Sequence, residues 1–393
     1  MTPDMANPAL AGRRALAVAF FVNGFLVGSW APQIPVLLQR LEITESTLGL
    51  LILAFGLGAL AAMPAAGVAM SGRGSRPVLR ASSLIACLGL PLVVLAPDVW
   101  LAALALVLFG AFLGAMDVTM NANAVTVEKR LRRAIMSSSH GFWSLGGFAG
   151  GAAGGLVIRE AGALSHAVLV ALLALAAMLA AWRFLVDGDA PRVEAVAAPA
   201  RRGLPRSPLI YLIGLMALFA MIPEGAILDW GALYLRQEFG ADIATAGFAF
   251  AAFSATMAVM RFTGDAIRDR FGAVATLRVS SLVAAAGLMV AGLASSPGLV
   301  IAAFAFAGLG IANMVPIAFS AAGNQPGLSP GTGMATATTM GYSGILLAPS
   351  GIGFIAEHTG FAPIYVTLSA FLVAIFCLAG LARTADFSPA PAE

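Results

Sequence analysis

Apolar runs of about 20 residues recur from one end of this chain to the other, and each is long enough to cross ~30 Å of hydrocarbon as a helix. In hydrocarbon every backbone N–H and C=O must be bonded within its own segment, so such runs fold as helices and leave no place for lipid-exposed loops or open sheets. Composition agrees: 60% of the 393 residues are hydrophobic and 10% are charged, against about a quarter charged in a soluble domain, and the mean hydropathy is +0.92. The sequence predicts an all-α integral membrane protein whose solvent is the lipid bilayer.

Cutting at charged or Pro/Gly-rich breaks gives twelve transmembrane spans, near 14–38, 46–70, 77–97, 100–127, 134–158, 163–185, 208–235, 243–263, 275–295, 298–322, 332–356 and 360–382. Arg13 and Arg14 ahead of the first run mimic a secretory signal, but no small-residue cleavage site interrupts the run, so it reads as span 1. With the N-terminus inside, all of the 22 Lys and Arg except Arg40, Arg159 and Arg236 fall in inner segments, Arg261 being counted with Arg268, Arg270 and Arg278 in the loop after span 8. This positive-inside bias puts both termini in the cytoplasm, and the expected location is a bacterial inner (plasma) membrane.

"DGDAPRVEAVAAPARRGLPRS", Asp187 to Ser207, is the one long polar stretch, and its Pro, Ala and charge content suits a flexible cytoplasmic linker. It divides the chain into residues 1–186, a linker 187–207, and residues 208–393, six spans on either side. The halves echo each other: "GSWAPQIP" against "LDWGALYL" sets Trp30 opposite Trp230, "FLGAMD" against "GLGIAN" sets Asp117 opposite Asn313, and "HGFWS" against "MGYSG" sets Gly141 opposite Gly341. Two pseudo-symmetric six-helix bundles around a central cavity are an architecture of secondary transporters, with the solute site where the bundles meet.

Two loops sharpen this. "GVAMSGRGSR" (Gly67 to Arg76) and "GDAIRDRFG" (Gly264 to Gly272) resemble the signature between spans 2 and 3, and again between 8 and 9, of the major facilitator superfamily. The resemblance assigns gating roles to Gly67, Gly74, Arg76, Gly264, Asp265, Asp269, Arg270 and Gly272. Ser71 stands where the family carries an aspartate, which removes that charge from the first loop and leaves Asp269 and Arg270 to supply the latch in the second. "DVTMNANAV" and "SSSHGFWSLGG" resemble the rhizopine-transporter-like, fucose-permease-related branch. The resemblance implies a monomeric secondary active transporter that moves a small polar solute of the sugar or cyclitol kind by alternating access with proton coupling. The rival reading is a proton-driven drug or metabolite efflux antiporter: "GGFAGGAAGGL" resembles the antiporter motif, with Gly151 in place of its proline, although small residues at that spacing also read as close helix packing.

An ionisable group inside a bilayer costs at least ~2.5–3.5 kcal/mol, so it should face a watery cavity or a partner. Asp117, Glu224 and Asp229 are the three such carboxylates and the candidate proton-coupling residues. Asp117 and Asn121 are four apart and share a helical face, with Glu128 further along it; Asn123 lies about 160° away and reads as an interhelical contact. Glu224, between Pro223 and Gly225 at a predicted break in span 7 and about 24 Å along that helix, is the leading proton site, since carboxyls in dry surroundings exchange protons nearer neutrality. Asn23, Trp30 and Gln33 of span 1, with Asp117, Asn121, Trp143, Asn313 and Tyr342, supply the amides and rings that suit a hydroxylated solute. The alternative for Trp30 and Trp230 is the interfacial aromatic belt, where Trp100 belongs, and for His140 a structural hydrogen bond.

Other chemistries find no residues to carry them. Cys87 and Cys377 have no partner at metal or redox spacing, the basic residues are scattered rather than gathered for nucleic acid, and no phosphate-cradling loop, serine elbow, zinc-ligand histidine pair or cofactor fingerprint occurs. The expectation is a protein that is not an enzyme and uses neither cofactor nor metal.

Overall fold

The computed structural model describes residues 8–131, 135–186, 207–328 and 330–386. Of the expected linker only Ser207 lies among them. The described residues form helices and turns and no strand. Twelve helices are long and apolar enough to cross a membrane: Pro8–Leu41, Glu45–Met70, Ser75–Leu95, Val99–Val127, Ser138–Ala161, Ala163–Trp182, Pro208–Phe239, Ile243–Gly264, Ala273–Gly292, Pro297–Gly323, Thr336–Thr359 and Ala362–Ala385, numbered here spans 1 to 12. With an even number of crossings among the described residues, Pro8 and Asp386 lie at one end of the molecule, the terminal end; the other is the distal end.

Local sequence sets the boundaries. Thr44 caps span 2 by accepting from the Thr47 N–H at 3.3 Å, and Asp242 caps span 8 by accepting from the Ala244 and Thr245 N–H groups at 2.8 and 3.1 Å. Each cap satisfies donors that a helix start leaves orphaned. Gly74 and Gly272 close helices at φ 76° and 79°, a left-handed conformation that penalises any residue with a Cβ. Span 1 breaks between Trp30 and Gln33 at Pro32, and span 10 breaks at Ala312–Asn313. The break expected at Pro223 is absent: Pro208–Phe239 is one helix with Pro223 inside it. Neighbouring helices and local adjustment absorb the single backbone bond that a proline removes.

The repeat is stricter than the sequence matches imply. The left-handed residues Glu42 and Gly240, Gly74 and Gly272, and Gly162 and Gly360, and the capping residues Thr44 and Asp242, each stand 198 positions apart. So do Gly110 and Gly308, which press on the carbonyls of Phe55 and Phe253, themselves 198 apart. One ungapped register therefore relates the bundles. The sequence pairings of Trp30 with Trp230, Asp117 with Asn313 and Gly141 with Gly341 each miss it by two positions; Asp117 falls on Val315, and Arg261 on Met63. The polar groups of the interior are not duplicated.

The bundles meet along two seams, span 5 with span 8 and span 2 with span 11. In the first, a Cβ at Gly155 would strike Ile243, one at Gly151 would crowd Ala251, and one at Gly141 would strike Phe262, so the helices are in contact along their length. In the antiporter-like stretch Gly147, Gly151 and Gly155 serve this close packing, while Gly146 and Gly150 bring span 5 against span 1. In the second seam contact is distal: Gly49 lies on Pro349 and Ser350, and Gly353 on Glu45. Bonds between bundles reinforce that end, Ser46 N–H to Glu357 Oε2 at 3.2 Å, Arg236 to Gln39 at 3.4 Å and Gln237 to Glu45. Toward the terminal end a Cβ on Gly67 of span 2 would meet no other described residue, and Val68 is 74% exposed.

Candidate functional site between the bundles

Polar side chains collect where spans 1, 4 and 5 face spans 7, 8 and 11. Buried Asn23 accepts a hydrogen bond from Trp143 Nε1 at 2.8 Å and donates from Nδ2 to the Leu113 carbonyl at 3.3 Å, which fixes the indole. The Arg261 guanidinium stands 5.7 Å from the centre of that indole. It donates from Nη1 to Ser144 Oγ at 2.7 Å, and its Nη2 lies 3.4 Å from Glu224 Oε1. One side chain of span 8 thus ties span 5 of the other bundle to span 7 of its own. The pair is only partly enclosed, Arg261 being 16% and Glu224 21% exposed. Tyr342 of span 11, 39% exposed, is within electrostatic reach of both Glu224 and Asp117. On span 4 the Asn121 amide donates to the Asp117 carbonyl at 2.9 Å and lies 3.3 Å from its carboxylate.

Asn23, Asp117, Asn121, Trp143, Glu224 and Tyr342 are therefore brought together. Asn123 turns away, as its angle predicts, and binds Ser75 Oγ and the Val186 carbonyl at 3.0 and 2.9 Å. Arg261 and Ser144 were missed. Arg261 was placed in a loop because it stands three residues before Gly264, but it lies within span 8, and its long stem carries the charge back into the interior. The available signal was its place at the end of "FSATMAVMR", an otherwise uncharged run.

Other expected site residues stand elsewhere. Gln33 donates to the Ala163 carbonyl at 2.9 Å and lies 2.9 Å from His166 Nδ1, tying span 1 to span 6. Trp30 is buried in the packed core, and Trp230 is fully buried with its ring 5.6 Å from Phe361, so neither belongs to an interfacial belt; Trp100 is exposed as a belt residue should be. Asn313 sits at the break in span 10 against Gly264, its Nδ2 without a partner among the described residues. His140 packs edge-on against Phe20 at 5.2 Å. Asp229 is buried on span 7, away from the cluster.

In the loops, Gly74 and Gly272 are needed for their backbone conformation, whereas a Cβ at Gly67 would meet open space. Arg76 is half-buried at the start of span 3. The side chain of Asp265 lies outside the described set. Asp269 and Arg270 are exposed, Arg270 over the Phe271 ring at 5.4 Å. The tie in this loop is made instead by Arg268, which donates to Ser320 Oγ at 3.1 Å and to the Ala385 carbonyl, and by Asp386, which accepts from the Ala273 N–H at 2.6 Å. Among the described residues no three of His, Cys, Asp and Glu gather as a metal site.

Twelve membrane-crossing helices in two repeat-related bundles, with partly exposed charges held at their junction, define a membrane transport protein. The model of the Major Facilitator Superfamily matches residues 16–234 and 225–393, and the chain belongs to that superfamily. An MFS-type transporter of Yersinia pestis is 35% identical over 379 residues, 96% of this chain and 95% of the relative. The membrane protein MosC of Rhizobium meliloti is 32% identical over 365 residues, 92% of this chain and 88% of MosC. Among solved structures, the E. coli fucose:proton symporter FucP shares the fold with a TM-score of 0.63 at 17% identity, covering 96% of this chain and 99% of FucP. The protein is an integral membrane transporter of a solute and not an enzyme.

Proposed function

We propose that the protein moves a small polar, hydroxylated solute of the sugar or cyclitol kind across a bacterial inner membrane, by alternating access coupled to protons. The observation that carries this reading is the Glu224–Arg261–Ser144 tie across the bundles. Burying an arginine and an acid in a membrane is costly, and groups kept there at that cost mark a solute or proton path. Protonation of Glu224 would remove the counter-charge from Arg261 and weaken a contact on which the relative position of the bundles depends. Around the pair, Asn23, Asn121 and Asp117 offer amides and a carboxylate to hydroxyls, while Trp143 and Tyr342 offer rings to a C–H face. An exporter of apolar drugs would do better with a less polar wall. MosC, a relative, and FucP, described as a fucose:proton symporter, lend support from outside the chain.

In this reading residues 1–186 and 208–393 are the two moving bodies, joined by the linker 187–207. The terminal end faces the cytoplasm, and the protein works as a monomer. The bonded distal end of the seam between spans 2 and 11, with open space beside Gly67 nearer the terminal end, then corresponds to a state open to the inside.

The test begins with thermal shifts of the purified protein against sugars, cyclitols, amino acids and common drugs, since a specific ligand raises the melting temperature by mass action. With the solute in hand, Glu224→Gln should abolish accumulation driven by a pH gradient while leaving counterflow exchange measurable. Full pH-driven accumulation by that variant would remove Glu224 from the coupling role.

A further inference from the structure

Asp229 is the intramembrane carboxyl that the cluster does not use. It lies five residues beyond Glu224 on span 7, which turns it about 140° around the helix and carries it about 7.5 Å toward the distal end. It is 8% exposed. Among the described residues no hydrogen bond or ion pair reaches its carboxyl. The titratable group that faces it from span 12 is Tyr365, whose hydroxyl is committed to the Ala226 carbonyl at 3.1 Å. The further charges on this side are Glu238 and Arg236 on its own helix and Glu45 and Glu357 at the seam, with the Arg236 guanidinium turned to Gln39 at 3.4 Å. An unpaired carboxylate in such surroundings is far costlier than a neutral carboxyl.

Its position relates this burial to the seam. The next residue, Trp230, lies beneath Gly353, where a Cβ would touch both the Trp230 ring and the Glu45 backbone. The packing that encloses Asp229 thus adjoins the contact that shuts spans 2 and 11 at the distal end.

We propose that Asp229 is a second proton-binding residue of the transport cycle, exchanging its proton at the distal side when the distal ends of spans 2 and 11 part and staying neutral while they are closed. The proposal rests on the alternating-access reading above but not on the role of Glu224. Its sign follows from linkage: a group that binds its proton more tightly in the closed state favours that state at low pH and opening at high pH.

The experiment is a distance measurement by pulsed electron spin resonance in a Cys87→Ser, Cys377→Ser background, with nitroxide labels at the exposed positions Leu50 of span 2 and Phe354 of span 11. Raising the pH from about 5 to about 9, a window that spans buried-carboxyl behaviour, should shift the population toward longer distances. Asp229→Asn should hold the short distance at both values, and Asp229→Glu should restore the response. A distance distribution independent of pH in the parent, or a full response in Asp229→Asn, would overturn the proposal. Because the readout is a distance, a failure of Glu224 to couple transport would leave it intact.

Discussion

Arg261 shows how much can depend on one side chain. Its planar fork reaches Ser144 and Glu224 together while its face lies near Trp143, a geometry that the point charge of a lysine cannot reproduce. Arg261→Lys should therefore fold yet lower solute uptake by about tenfold, the equivalent of about 1.4 kcal/mol; uptake within twofold of the parent in proteoliposomes would show that the fork is dispensable. Asp117→Asn should weaken solute binding in the same assay series, and an unchanged affinity would make that carboxylate structural. The sequence made half of this cluster legible. The four-residue spacing of Asp117 and Asn121 and the opposing angle of Asn123 are properties of any helix. The partners Arg261 and Ser144 were hidden because side-chain reach, unlike helical phase, is not written in residue spacing. Gln33 shows the converse: its amide suits a solute, but span 6 takes it up through the Ala163 carbonyl and His166, and Trp30 is buried in the packed core.

At the scale of elements, the starts and ends of the spans respond to particular residues. Hydrogen bonds from the Thr245 hydroxyl and N–H hold the Asp242 carboxyl below the ordinary aspartate range. Its contribution to span 8 is thus fully present above about pH 4 and is lost as pH falls through the lowered value. Asp242→Ala should cost about 1 kcal/mol at neutral pH and abolish that acid-side loss, read as melting temperature against pH; an unchanged profile would remove the cap from the account. The seam between spans 5 and 8 offers a contrast in glycine substitutions. Gly155→Val places a branched side chain against the Ile243 backbone and should lower the melting temperature by several degrees, whereas Gly67→Ala enters open space and should leave it unchanged or slightly higher. Equal effects would contradict the packing described. The spans themselves were legible because a bilayer permits little but helices, while the continuity of span 7 through Pro223 was not, since whether a proline breaks a helix is decided by its neighbours.

At the scale of the molecule, a single register of 198 residues relates backbone features from Glu42 with Gly240 to Gly162 with Gly360, yet the charged interior follows no such symmetry. The scaffold is duplicated and the site is not. This is why the architecture could be read from span count, linker and loop glycines, while the sequence pairings drifted by two positions: they were anchored on polar and aromatic residues, which are the part that diverged. The central claim is that the distal contact of spans 2 and 11 must open for solute to cross. Its most direct test is counterflow exchange by a Ser46→Cys, Glu357→Cys variant in the Cys87→Ser, Cys377→Ser background, since the Ser46 N–H lies 3.2 Å from the Glu357 carboxylate across that seam and neither position has to gain a Cβ. Oxidation should stop exchange and reduction should restore it. Exchange that continues undiminished with the cross-link formed would contradict the account.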